Sequence, residues 1–237
     1  MSEKQRLTEI PTEWTIICTA HSPGPEKEKA MSDLIARYHD AVGRYLKLKL
    51  RDTNLADEVG QEFWAKLLNN KLAAADPSKG RFRDYLRTVL HRLIIDHFRS
   101  RKLQQLPPGD LLDPSTPDAD FDHVWRESVI TRVNLRLQTY EAKTANNRYA
   151  TVLELRMKNP EAPIEDLALR LGQQLNTRVS PEAFRKTLQR ARSKFLELLV
   201  LELKETIHPA EPADIEAEIY DLGLGHIYKR YSEENAV

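Results

Sequence analysis

Cysteine is almost missing from this chain. Cys18 stands alone, so no internal disulfide can form and nothing argues against a reducing compartment. Glycine is scarce, with 8 in 237 residues, which suits a mostly helical protein better than one built on tight turns. No apolar run reaches membrane-spanning length, and the polar opening MSEKQRLTE lacks the apolar core of a signal peptide. The expectation is therefore a cytoplasmic protein with no membrane insertion. Net charge is also absent, because 36 Lys and Arg balance 36 Asp and Glu. That balance does not exclude a polyanionic partner, since the distribution of charge decides it. Finally, the chain has no phosphate loop, no nucleophile elbow and no metal spacing among its histidines. His91 and His97 are six apart and do not share a helix face as i, i+4 ligands would. The residues point to no enzyme, no cofactor and no metal.

What the chain does contain is segregated charge on helical periods. From Gly80 to Lys102 the sequence reads GRFRDYLRTVLHRLIIDHFRSRK. Phe82, Leu86, Val89, Leu90, Leu93, Ile94 and Phe98 recur three and four apart and write one buried stripe. The other face carries Arg81, Arg83, Arg87, Arg92, Arg99, Arg101 and Lys102, with Tyr85, His91 and His97 among them and only Asp84 and Asp96 opposing. Such a helix can pack on a bundle while meeting a polyanion whose bases stack on its rings. A plain solvated basic face is the competing reading.

Taken in order, residues 1–24 form a tail with a short apolar patch at Trp14, Ile16, Ile17 and Cys18. A first domain follows over 25–102. It opens with a helix from Pro25 to about Arg51, then a second from about Leu55 to Leu68 after turn and cap residues Asp52, Thr53 and Asn54. The second helix buries Leu55, Val59, Phe63, Leu67 and Leu68 and leaves Asp57, Glu58, Gln61 and Glu62 toward solvent, with Trp64 at the edge. Residues 103–121 carry prolines and acids that cannot keep a helix, so they read as a linker. A second domain over 122–206 resumes with helices near 122–142 and 148–158. A short helix from Pro163 is then closed by Gly172, and a long one starts at Pro181 behind the cap Ser180. A short helix, a turn and a basic helix bearing Arg185, Lys186, Gln189, Arg190, Arg192 and Lys194 is a helix-turn-helix pattern. Residues 207–237 form an acidic extension with a short helix near 214–222. The fold class expected is all-α, with two small helical domains on a flexible acidic linker.

Two basic helices on tethered domains favour DNA over a plain bundle, because tethering raises effective concentration. The residues by themselves leave open a helix-turn-helix DNA-binding regulator and a helical adaptor that binds only proteins.

Against that background, residues 30–102 resemble region two, and 123–204 region four, of bacterial RNA polymerase sigma factors of the extracytoplasmic function (ECF) class. The matching stretches are LADEVGQEFWAKLL, the basic helix with Tyr85-Leu86, Asp96 and Arg99, then EDLALRLG and EAFRKTLQRARSKF with Arg190, Ala191 and Arg192. The wording LAAADPSKGRFRDYL with PTEWTI is most similar to planctomycete-type members. The resemblance implies a transcription initiation factor that joins core RNA polymerase and directs it to minus-10 and minus-35 promoter elements. It implies that Asp57, Glu58, Gln61, Glu62 and Phe63 dock on the β′ clamp helices, with the β flap a further polymerase contact. It implies that Lys79, Arg81, Arg83, Tyr85, Arg87, His91 and Arg92 hold the minus-10 strand. Arg185, Lys186, Gln189 and Arg190 would read minus-35 bases, with Arg192 and Lys194 on phosphate. The linker acids would mimic nucleic acid in the polymerase channel, and an anti-sigma factor or other regulator is a further partner of such proteins. The chain departs from the pattern in three ways. Arg92 stands where many members have Asn, the turn QQLNTRVS is longer than the family's, and the tail from Glu205 is extra. Three readings of that tail remain open: folding back over a basic DNA surface, docking a regulator, or disordered solubilisation.

Overall fold

The computed structural model describes residues 24–69, 81–100, 118–144, 147–207, 211–225 and 227–229. The apolar patch at 14–18, the loop containing Lys79 and most of the 103–121 linker lie outside the described residues. Among those described there is no strand. The helices are α1 Lys27–Leu50, α2 Thr53–Leu68, α3 Phe82–Ser100, α4 Ala119–Lys143, α5 Tyr149–Lys158, α6 Ile164–Leu175, α7 Pro181–Thr206 and α8 Pro212–Asp221. The all-α class is thus observed. The chain divides into two compact units, one of residues 1–128 and 203–218, the other of residues 129–202 and 219–237.

In the first unit the periodic stripes close on one another. Leu34, Tyr38, Val42, Tyr45 and Leu46 of α1 are buried, as are Val59 and Phe63 of α2 and Phe82, Leu86, Leu90 and Ile94 of α3. The start of α4 adds Phe121, Val124 and Trp125. The rings interlock: Trp125 lies parallel to Tyr38 at 5.8 Å between centroids, and Phe121 meets Tyr45 edge-on at 5.3 Å. Aromatic packing of this kind contributes beyond its buried area.

Local chemistry sets the helix ends. The first helix begins at Lys27 rather than Pro25, because Glu26 is the cap and Pro25 belongs to the preceding turn. It ends at Arg51, a non-glycine residue in the left-handed region with φ 53°, whose N–H donates to Lys47 O at 3.1 Å. Asp52 then caps α2 by accepting from Leu55 N at 3.0 Å. The fourth helix starts at Ala119, three residues before the expected Asp122. Its cap is Asp118, which accepts from the N–H groups of Asp120 at 3.1 Å and Phe121 at 3.2 Å.

That same carboxylate ties the first unit together. Asp118 is 1% exposed. Tyr45 donates to it at 2.8 Å, His91 Nε2 lies at 2.9 Å, and the buried Lys49 ammonium at 3.2 Å. Burial alone would raise this carboxyl, but the hydrogen bonds from His91, Tyr45 and Phe121 N and the Lys49 charge outweigh it and hold it far below the usual carboxylate range. A native-state value depressed below the unfolded one contributes stability above the unfolded carboxylate pKa and loses it as pH falls toward the native value.

In Asp118→Asn, the first unit should lose about 3–5 kcal/mol in urea unfolding followed by tryptophan fluorescence. The variant's stability should also fall less steeply than that of the parent between about pH 5 and pH 2. An unchanged midpoint at neutral pH would exclude the anchoring role.

Candidate nucleic-acid and docking surfaces

On α2 the acidic face is where the period puts it. Asp57 and Gln61 are exposed, while Glu58 and Glu62 are half-buried. Asp57 lies 3.5 Å from Lys47, and Glu62 holds Lys66 at 2.8 Å and faces His97 at 3.6 Å. Partial burial pushes the Glu62 carboxyl up, but Lys66 and His97 together bring it below its ordinary value, so it is anionic at neutral pH. Phe63 does not belong to this face. It is 3% exposed and packs edge-on to Trp64, with ring centroids 4.8 Å apart. Trp64 is half-buried and stacks on His39. The outward side of α2 therefore presents carboxylates and one amide, and Phe63 anchors the helix in the core behind them.

The third helix departs further from its expected amphipathic split. Of the minus-10 candidates with described side chains, only Arg92 is exposed. Tyr85 is half-buried with its ring 6.1 Å from that of Phe82, and Arg87 is half-buried beside Asp84 at 3.2 Å. His91 is fully buried against Asp118, so its imidazole belongs to the anchor and not to a strand-holding surface in this fold. Arg83 is also buried. Its guanidinium lies 3.1 Å from Glu218, whose other oxygen accepts from Arg81 at 2.6 Å. A basic face becomes interior when acids from distant segments neutralise it, and that is what Asp118 and Glu218 do. Nearby, burial raises the Asp122 carboxyl against the pull of Arg83 and Arg87.

Sequence reading missed both acids as structural partners, though each left a signal. Asp118 precedes the α4 period as a cap should. Glu218 sits three residues after Ile215 and one before Ile219, an acid on an apolar stripe. A second such acid, Glu205, is buried with Arg37 as its partner.

In the second unit, α5, α6 and the start of α7 share a core of Val152, Leu155, Leu167, Ala168, Leu171, Phe184 and Leu188. The expected cap is present: Ser180 Oγ accepts from Ala183 N at 3.1 Å. Gly172 does not close α6. The helix continues to Leu175, and Asn176 takes the left-handed cap position with φ 49° while Thr177 N donates to Gly172 O at 3.0 Å. The turn is thereby shorter than the stretch QQLNTRVS, spanning 176–180. Glycine at 172 lets the returning chain pass, since a Cβ there would lie 2.7 Å from Thr177 O.

Arg185, Lys186, Gln189 and Arg190 are all exposed on α7. Arg185 pairs with Glu165 at 3.0 Å and Lys186 with Glu182 at 2.9 Å, both in contact with water and therefore weak. Arg190 has no ion pair among the described residues. Arg192 is half-buried, and Lys194 lies over the Tyr140 ring at 4.5 Å while bonding Glu197 at 2.7 Å. Glu202, fully buried, holds Arg132 and Arg136 and fastens the far part of the unit. Among the described residues, no group of His, Cys, Asp and Glu could hold a metal ion, and no helix is long and apolar enough to cross a membrane.

Residues 34–104 match the family model for Sigma-70 region 2. They span α1 from its first buried leucine, the acidic α2 and the cationic α3. The match supports a sigma factor, a component of transcription initiation, for which core RNA polymerase and promoter DNA are the implied partners. No curated protein and no solved structure matches the chain.

Gly172→Ala should destabilise the second unit by about 1–3 kcal/mol, because the added methyl meets backbone that cannot swing aside. Thermal unfolding compared with Ala168→Gly, which opens space at a buried site in the same helix, separates a clash from ordinary helix propensity. A higher melting temperature for the Gly172 variant would refute the close approach.

Proposed function

We propose that this protein is a sigma factor of the ECF class that binds core RNA polymerase and directs it to promoters, with no enzyme activity of its own. The observation that carries the reading is the Sigma-70 region 2 match, laid over an exposed acidic face on α2 followed by a cationic α3. On this reading Asp57, Glu58, Gln61 and Glu62 dock on the clamp helices of β′. Arg92, Arg87, Tyr85, Arg81 and Arg83 serve the minus-10 strand, joined by Lys79 outside the described residues. The second unit acts as the minus-35 reader, with α7 as its recognition helix. The geometry that supports this is the row of exposed Arg185, Lys186, Gln189 and Arg190 on the first turns of a capped helix. Arginine to guanine and glutamine to adenine are the pairings such a row offers. Lys194, held by Tyr140 and Glu197, suits a phosphate contact better than base readout. The cytoplasm is where such a factor works, and an anti-sigma factor is a partner consistent with its class.

Run-off transcription with core polymerase and mapping of the start sites tests the whole reading, and no defined start would overturn it. Asp57→Lys with Gln61→Ala should abolish co-purification with core polymerase while leaving the circular dichroism unchanged. Retained co-purification sinks the docking assignment. Arg190→Ala should cost about 1–3 kcal/mol of promoter binding if the residue reads a base. A uniform loss across upstream sequences would make it a phosphate contact instead.

A further inference from the structure

The paired guanidiniums of Arg81 and Arg83 are an anion site, and the anion in it is part of this chain. Glu218 is 1% exposed, accepts from Arg81 at 2.6 Å, and lies 3.1 Å from Arg83. Stability alone does not account for a carboxylate there. A buried ion pair is often no better than apolar residues of the same volume, and Glu218 shares its helix face with Ile215 and Ile219, which are also buried. Carboxylate and phosphodiester present the same pair of oxygens to an arginine fork, so they compete for it. The element that delivers Glu218 is poorly tethered by its own helicity: α8 has 10 residues, below the length at which an isolated helix persists in water. In its part of the first unit only Ile215 and Glu218 are buried, while Pro212, Ala213, Asp214 and Glu216 are exposed.

We propose that Glu218 is a self-ligand that occupies a backbone-phosphate site made by Arg81 and Arg83, so that α8 must leave before a nucleic-acid strand can take that site. This rests on the sigma-factor reading, which places both arginines on the minus-10 strand. Glu218→Gln keeps the shape of the side chain and removes its charge. In fluorescence anisotropy with a fluorescein-labelled single-stranded oligodeoxynucleotide, the full-length variant should bind about tenfold tighter than the parent, a change of ~1.4 kcal/mol. Adding Arg81→Ala and Arg83→Ala to the variant should remove the gain. Equal affinity of Glu218→Gln and the parent, with both folded by circular dichroism, overturns the proposal. So does a gain that survives the two arginine changes. Hydrogen exchange on the unsubstituted protein covers the case in which the variant does not fold. The amides of 214–221 should lose protection at saturating oligonucleotide, and unchanged protection there overturns the proposal. Run-off transcription by the parent protein separates the two readings. Defined start sites without the affinity gain sink the self-ligand alone. The gain without any start site sinks the sigma-factor reading and leaves Glu218 guarding a nucleic-acid surface of another kind.

Discussion

One carboxylate in a dry interior sets the constraint that the first unit has to satisfy. An ionised Asp118 away from water would be intolerable by itself, and the groups that make it tolerable come from three different helices. Tyr45 and Lys49 belong to α1, His91 to α3, and the donating N–H groups to the first turn of α4. The cluster thereby fixes the register of three helices at one point, and Phe121, edge-on to Tyr45 and nearly parallel to Trp125, joins it to the rings of Tyr38, Phe82 and Trp125. It also withdraws His91 from the surface. A functional reading of α3 that ignores this anchor counts a core residue as a ligand contact.

The same logic recurs elsewhere. Glu202 gathers Arg132 and Arg136 in the second unit, and Glu205 takes Arg37 in the first. A chain with no net charge has used part of its charge internally, so its surface is less ionic than its composition suggests. Removing Arg37 would strip a charge partner from the buried Glu205, which costs more than the intact pair contributes.

How much of this was legible beforehand follows from sequence distance. Helix positions were readable because the period of apolar residues is local: α1, α2, α3, α5 and α7 fall close to where it puts them. The Ser180 cap was readable for the same reason, and Asp52 was one of three neighbouring cap residues, of which the structure uses it and winds the other two into the helix. Gly172 misled because glycine is both a helix stop and a space-maker, and only the returning strand of chain at Thr177 tells which. The site was less legible than the fold. A cationic helix face looks alike whether it meets solvent, DNA or an acid 137 positions away, as Arg81 does. Phe63 was placed on the docking face by the family resemblance, although its own period had already turned it inward.

That inward turn of Phe63 has a consequence for how α2 could hold a partner. Interfaces that persist usually seat an aromatic or aliphatic anchor in a pocket, and the outward side of α2 offers Asp57, Glu58, Gln61 and Glu62 instead. Attraction between charges works at a distance and hastens encounter, but contributes little to residence once the pair is formed. It is also dulled by dissolved ions over about 8 Å at physiological strength. A helix that grips in this way arrives quickly and lets go easily, and the salt content of its surroundings sets how long it stays.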